Sequence, residues 1–496
     1  MSSHSAHLPQ FHVVGFTGHR RLENSPGVAA AIREAIAGLQ REAPGEWIGL
    51  SSAAAGSDTL FAREALAQGC AWHVVLPLAL SEFKLDFTEE EWRETEGLLA
   101  QAEDVRVLSE TGAREDAYLD AGMETVHGAD VVLAVWDGEP ARGKGGTADV
   151  IAYARDLGRR LIVIDVQSLA VRIENPSAFK PHDHDLEYFN HLPLAPASAY
   201  GAANPFGAPD EILAFQRKVD YTASKGAPQF RRLIASTTVL HVLATLIAGA
   251  GLAFELHFAV LPWMKLICLA GALGVALVLR KQGAHHHWVR CRLSAEFCRS
   301  ALATWGLPRT APIFADLDLP GMRMLARALQ VLHRRSAGAQ PVPMEDFKRL
   351  YLIHRIDDQF AYYERRLDKA LPQLIRLRAG FWFATLAAIT CTAAYALHRV
   401  WNYADLPPGV EQWLFYFLPI SLPVVAAAFI SLISINDLHR RVARYREMQS
   451  VLRAARKQIA YSRTWSSLER VVQHTEQELL QEVIEWHSIT SFAESH

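Results

Sequence analysis

Apolar and polar positions change their rhythm partway along the chain. In the first third, short apolar runs punctuated by glycine, Val13-Val14-Gly15-Phe16, Trp47-Ile48-Gly49-Leu50 and Trp72-His73-Val74-Val75-Leu76-Pro77, alternate with helical stretches at Val28 to Arg41 and Asp58 to Gln68. Two further runs, Val131 to Val135 and Leu161 to Val166, extend the alternation. Strands alternating with helices predict βαβ units and a mostly parallel sheet buried on both faces, an α/β domain. Beyond about residue 220 the apolar stretches lengthen. Leu233 to Phe254 and a second run reaching Leu279 are joined by Glu255-Leu256-His257, while Phe381 to Leu397 and Leu414 to Ile435 flank a loop around Asp405, Pro407 and Glu411. A helix needs about 20 apolar residues to cross the hydrocarbon core. The pattern therefore predicts an all-α membrane domain with four transmembrane helices in two hairpins, at about 233–254, 258–279, 381–397 and 414–435.

A 17-residue apolar run also suits a buried core helix, so the flanking charges decide. Arg231-Arg232 precede the first span, Arg280-Lys281 follow the second, Arg376 and Arg378 precede the third, and Arg440-Arg441 follow the fourth. Excess Lys and Arg marks the cytoplasmic side, which puts all four flanks there and both hairpin tips outside. The expectation is a multi-pass protein of the inner membrane with cytoplasmic N- and C-termini; the polar first ten residues, lacking the blocks of a signal peptide, agree. Within the spans Lys265 lies near an end, and His241, deeper, either bonds between helices or marks an ion path.

The hairpins read as copies. Lys225-Gly226-Ala227-Pro228-Gln229-Phe230-Arg231-Arg232-Leu233 aligns with Lys369-Ala370-Leu371-Pro372-Gln373-Leu374-Ile375-Arg376-Leu377 at one constant offset. Two-span modules at 221–365 and 366–496 follow, each with long cytoplasmic helices. In the second, Leu468, Val472, Thr475, Leu479, Val483 and Trp486 recur every three or four residues, a stripe that packs within the protomer or between subunits of a homo-oligomer. The helix carrying Trp288, Arg292, Glu296, Arg299 and Trp305 has similar character. Residues 171–220, rich in Pro, Ala and Asn, read as a connector, and neither His182-Asp183-His184-Asp185 nor His285-His286-His287 reads as a metal site.

The 496 residues carry a net charge of only -3, which argues against nucleic acid as a partner. The five cysteines are scattered without metal or disulfide spacing. Candidate chemistry sits in three loops after apolar runs, where ligands of parallel sheets bind. The candidates are Gly15, Thr17, Gly18, His19 and Arg20 after the first run, Ser51, Gly56, Ser57 and Asp58 after the second, and Asp137, Gly138, Lys144, Gly145, Gly146, Thr147 and Asp149 after Trp136. Glycines let the backbone approach an anion, and a helix start points N–H groups at it, so a phosphate-bearing ligand fits. Arg20 and Lys144 can neutralise phosphate, and His19 contributes hydrogen bonds or acid–base chemistry. Asp149 can accept from a ribose hydroxyl, and Asp58 either does so or caps the helix it opens.

Gly15-Phe16-Thr17-Gly18-His19-Arg20, the Gly56-Ser57-Asp58 helix opening, Val74-Val75-Leu76-Pro77 followed by Phe83-Lys84-Leu85-Asp86-Phe87, and Trp136-Asp137-Gly138 with Gly143-Lys144-Gly145-Gly146-Thr147 resemble the SLOG superfamily. This Rossmann-like group includes the LOG phosphoribohydrolases, the DNA-processing A proteins and the sensor regions of melastatin-type TRP channels. The resemblance covers about 11–170, defines a domain at 10–170, and implies a pocket for a nucleotide or nucleotide-derived signal, with no required cofactor. The hydrolases follow their Gly-Thr with two residues and then a catalytic Glu; here Val150 stands at that position, with Asp149 just before it, so sensing is expected over base–ribose cleavage. The hairpins and the helices after them resemble the SLATT class of two-span effectors of bacterial conflict systems, in two tandem copies. That resemblance implies pore formation or membrane disruption once the sensor is occupied.

Overall fold

The computed structural model describes residues 6–108, 113–141, 143–196, 204–281, 284–308, 321–336, 342–401 and 406–492, with side chains for all of these except 226–232, 279–281, 284–287 and 486–492. Asp405 and the side chains of Arg231, Arg232, Arg280, Lys281, His285, His286, His287 and Trp486 therefore lie outside the described residues. The chain forms two compact units. One comprises His7–His191 with Leu317–Gly338, and the other Met1–Ala6, Leu192–Asp316 and Ala339–His496.

The first unit runs β1 (Phe11–Gly18), α1 (Ser25–Glu42), β2 (Glu46–Ser51), α2 (Ser57–Ala67), β3 (Ala71–Leu76), α3 (Leu80–Phe83), α4 (Glu89–Leu99), β4 (Asp104–Val107), α5 (Arg114–Gly128), β5 (Val131–Trp136), α6 (Thr147–Asp156), β6 (Arg160–Asp165), β7 (Val171–Glu174) and α7 (His184–Asn190). The strands form a seven-stranded sheet in the order β4-β3-β2-β1-β5-β6-β7. β1 to β6 are parallel, and β7 pairs antiparallel with β6. Alternation along single strands shows both faces covered. In β5, Val131, Leu133 and Val135 join a core containing Phe16, Phe61, Trp72 and Trp92, while Val132 and Ala134 join a second with Val126, Val150 and Ile151. Period-two pointing makes this division, and helices on each side bury it. The five expected strands are present. β4 and β7 are additional, short and largely exposed edge strands that no continuous apolar run announces. Residues 171–220, read as a connector, hold β7, α7 and the start of the next helix. There Asp183 caps α7 by accepting from the N–H groups of Asp185 and Leu186.

The second unit is helical: α8 (Asp210–Ala253), α9 (Val260–Lys281) and α10 (Ala284–Ala303); α11 (Arg323–Ser336) belongs to the α/β unit; then come α12 (Met344–Tyr351), a π-helical turn at Leu352–Asp357, α13 (Asp358–Trp401), α14 (Pro408–Glu411), a second π-helical turn at Gln412–Phe417, α15 (Leu418–Ile435), α16 (Leu438–Tyr461) and α17 (Trp465–Phe492). Four helical segments among the described residues are long and apolar enough to cross a membrane. In none is more than 17% of the most apolar window buried. Trp263, Ile267, Phe383, Leu386 and Ile389 are each more than half exposed. A core helix would bury such residues; helices apolar outward as well as inward suit lipid. The first hairpin turns at Glu255, whose φ is +50°. His241 Nδ1 lies 2.8 Å from the Thr237 carbonyl of its own helix.

Away from the spans, the helices are held by buried charge. Arg355, in the first π-helical turn, donates through Nε to Glu476 Oε1 of α17 at 2.8 Å and through Nη2 to Glu476 Oε2 and to Ser300 Oγ of α10. Tyr351 Oη donates to the same carboxylate at 2.7 Å, and Glu296 of α10 lies 3.5 Å from Arg355 Nη1. Arg355 is 2% exposed and Glu476 fully buried. The predicted stripe packs in the same unit, with Leu468, Val472, Thr475, Leu479 and Val483 all buried. Removing one partner of a buried pair strands the other, at about 3–5 kcal/mol, whereas exposed pairs contribute about 0–1 kcal/mol. Arg355→Met should therefore lower the melting temperature of the detergent-solubilised protein by many degrees, and Arg456→Ala, which removes the exposed pair with Asp357, by few. Equal shifts for the two variants would contradict this account.

Candidate functional site

The strand order reverses beside β1: the chain builds outward through β2, β3 and β4, then returns to the opposite side of β1 as β5 and β6. The loops after β1 and β5 thus leave the sheet in opposite directions and open a crevice at the carboxyl ends of the two strands. His19 and Asp137 face each other across it. The Asp137 N–H donates to His19 Nε2 at 3.1 Å, and Asp137 Oδ1 lies 3.1 Å from the same nitrogen. Burial opposes ionisation of Asp137, yet the Glu139 N–H bond and the His19 ring hold its carboxyl below the ordinary value.

The loop after β2 closes the second side. Ser57 donates through Oγ at 2.7 Å and through N–H at 3.1 Å to the His19 carbonyl. Gly56 has φ +88°, and a Cβ there would collide with the Arg20 backbone, so only glycine lets these loops meet. Ala53, fully buried, is held at φ +56°, a conformation that costs a non-glycine residue energy and that clusters at functional sites. Asp58 stabilises that loop: its Oδ2 accepts from the Ala54 N–H at 3.2 Å, and α2 has no side-chain cap. Its Oδ1 is buried without a hydrogen-bond partner among the described residues.

The glycine-rich loop after β5 rests on α5. Gly145, at φ +80°, has the Leu119 backbone where a Cβ would be, and its N–H donates to Asp149 Oδ2 at 2.9 Å. Gly146 precedes α6 as its cap residue and Thr147 opens the helix. Lys144 pairs with Asp116 of α5. Arg20 lies 5.1 Å over the Tyr118 ring and 3.9 Å from Asp86 Oδ2, and Asp86 also takes Arg114 at 2.5 Å and the Tyr118 hydroxyl.

The predicted residues thus divide. Thr17 and Gly18 end β1 and lead into His19 and Arg20, Gly56, Ser57 and Asp58 open α2 and meet that loop through Ser57, Asp137 and Gly138 follow β5, and Lys144 to Thr147 with Asp149 lead into α6. Gly15 and Ser51 serve the interior: a Cβ on Gly15 would meet Ala129 at 2.8 Å, and Ser51 Oγ accepts from Trp72 Nε1 at 3.1 Å. Val150 is buried in the core beside Gly122. Arg114, Asp116 and the role of Asp86 escaped the sequence reading; the charged turn Arg114-Glu115-Asp116 opening a helix was the available signal. The cations of these loops are each paired with a carboxylate, Arg20 and Arg114 with Asp86 and Lys144 with Asp116.

Comparison with known proteins identifies one region. Residues 214–321, which include most of α8 and all of α9 and α10, match the family described as SMODS and SLOG-associating 2TM effector domain 3. No curated protein matches the chain. The match and the four apolar helices mark a membrane protein carrying a two-span effector domain, behind an α/β domain with a Rossmann-like sheet.

Burial pushes the Asp58 carboxyl from its ordinary 3.8 up to about 7, against the Ala54 N–H bond and the Arg20 charge. An acid whose pKa is higher folded than unfolded keeps its proton preferentially in the folded state. Stability contributed by the protonated group is complete below pH about 4 and is lost as pH rises through about 7, by at most about 4 kcal/mol at 1.36 kcal/mol per unit. Asp58→Asn keeps the acceptor for Ala54 and cannot ionise. The variant should gain on the parent in thermal unfolding as pH rises from 4.5 to 8; a difference that stays the same at the two values would sink the assignment.

Proposed function

We propose that the chain is a membrane-bound sensor-effector: a nucleotide or nucleotide-derived signal binds at the β1–β5 crevice of a SLOG-like domain, and the spans respond by forming a pore or disrupting the bilayer in bacterial defence. The observation that carries this reading is the joining, on one chain, of a glycine-lined, cation-bearing switch-point crevice to a two-span effector domain. The matched family's description names association with SLOG domains, the superfamily that the crevice loops resemble. Arg376, Arg378, Arg440 and Arg441 at the span ends favour the cytoplasmic side of the inner membrane for both termini and the sensor. The likeness of the two hairpins favours tandem effector modules, α8 and α13 being 44 residues each, and a homo-oligomer would supply enough helices for a pore.

A ligand shifts a conformational equilibrium only by its preference for one state, and a swing from 1:99 to 99:1 takes about 5.5 kcal/mol. Charged hydrogen bonds contribute about 1.5–3 kcal/mol each, so two to four phosphate contacts made in one state alone suffice. Arg20, Lys144 and the α6 start supply that many. Sensing is favoured over hydrolysis because Val150 packs in the core and Asp149 is engaged by Gly145.

Purified protein in dye-loaded liposomes, challenged with a panel of nucleotides and cyclic nucleotides, should leak with at least one of them. Arg20→Ala should raise the concentration required about 10- to 100-fold, the loss of one charged contact. Nucleotide binding without leakage at any protein density would refute the effector role. Release of free base that stops on Asp149→Ala would replace sensing with hydrolysis.

A further inference from the structure

The amino edge of the sheet, opposite the crevice, is covered by α11, a helix that comes from the sequence between the two hairpins. Its Met324, Leu325, Ala328, Leu329 and Val331 are buried, and its arginines meet the amino ends of four strands, β1, β2, β4 and β5. Arg327 bonds the Phe11 carbonyl at the start of β1 at 3.1 Å and pairs with Asp130, the residue before β5. Arg323 pairs with Asp130 at 3.0 Å. Arg334 lies 3.2 Å from Asp104, which opens β4, and Arg335 lies 2.7 Å from Glu46, which opens β2, and 3.1 Å from Glu103. Asp130 is 6% exposed and also accepts from the Val13 N–H at 2.9 Å, which ties the amino ends of β1 and β5 to each other.

Two grades of attachment result. Asp130 with its two arginines is a buried cluster at the helix start, whereas Arg334 and Arg335 form water-accessible pairs worth about 0–1 kcal/mol each and weakened by salt. The strands that Arg327 bridges are the pair whose carboxyl ends carry His19 and Asp137. A tilt of β1 against β5 would change the spacing that Arg327 spans. In sequence, α11 is followed by α12 and the second hairpin and preceded by the first.

We propose that α11 is the output latch of the α/β domain, gripping the amino ends of β1 and β5 in one state and releasing the inter-hairpin segment in the other. The proposal rests on the ligand-gated reading above. Its test uses full-length protein in liposomes and two measurements, amide hydrogen exchange and dye leakage. Arg334→Asp combined with Arg335→Glu, both distant from the crevice, should accelerate exchange of the amides of Arg327 to Arg335 at least tenfold, leave those of β1 and β5 unchanged, and alter leakage without nucleotide. Asp104→Arg added to Arg334→Asp should return exchange towards the parent. Unchanged exchange in α11 would overturn the latch, as would equal acceleration in β5, which makes α11 ordinary core. Release of α11 with unaltered leakage, in protein that a nucleotide does make leaky, would also overturn it. If no nucleotide produces leakage from the parent protein, the ligand-gated reading fails, and the exchange comparison alone decides whether α11 undocks.

Discussion

Hydrocarbon neither hydrates a charge nor satisfies a free backbone amide, and that constraint organises the helical unit. Each span is helical, the form in which a backbone can bond within its own segment, and its apolar side chains face outward because lipid accepts them. Polar interactions are displaced along the same helices. α8 and α13 are each 44 residues, about twice what a crossing requires, and the polar reach of α8 carries Asp220, which meets Arg299 of α10 at 2.9 Å. There buried charges are paired: Arg299 with Glu296 and Asp220, Arg355 with Glu296 and Glu476. Because these groups lie on α8, α10, the turn before α13 and α17, the network joins the helices of one hairpin to those of the other.

The sequence made the parallel sheet legible where strands are buried on both faces, since such strands must be continuous apolar runs. β4 and β7 escaped for the complementary reason: at the sheet edges, Val105, Arg106 and Val107, like Val171, Arg172 and Ile173, stand in solvent and carry no such run. α11 escaped differently. Its apolar period states that one face is buried, but says nothing of what buries it, and its arginines find Glu46, Glu103, Asp104 and Asp130 across hundreds of residues. The spans were legible because membrane length and flanking charge are local properties.

For the crevice, residue types were readable and their partners were not. Glycine in such loops suggests room for an anion, yet Gly56 and Gly145 are glycine because the Arg20 and Leu119 backbones occupy the space of a side chain. Close packing between loops brings the crevice walls together, while Gly138 and Gly143 have open space beside them. Asp58 had two readings, ribose acceptor or helix cap. It caps nothing in α2; it braces the loop through Ala54 and keeps one oxygen unpaired. Such a role depends on the left-handed turn at Ala53, which no propensity for alanine foretells.

β1 and β5 give the α/β unit its mechanical axis. Their ladder runs from Val14–Val131 to Gly18–Val135, so the two strands can shear or tilt only together with that ladder. Beyond its carboxyl end the His19–Asp137 contact joins the loops, and at its amino end Asp130 joins Val13 to Arg327. A change of a few tenths of an ångström at one end cannot be absorbed within strands whose side chains are close-packed on both faces. It must pass to the other end or be resisted there, and what resists it is a carboxylate almost completely out of water. The low-dielectric setting that makes Asp130 costly to leave unpaired is what holds its pairs with Arg323 and Arg327 in place.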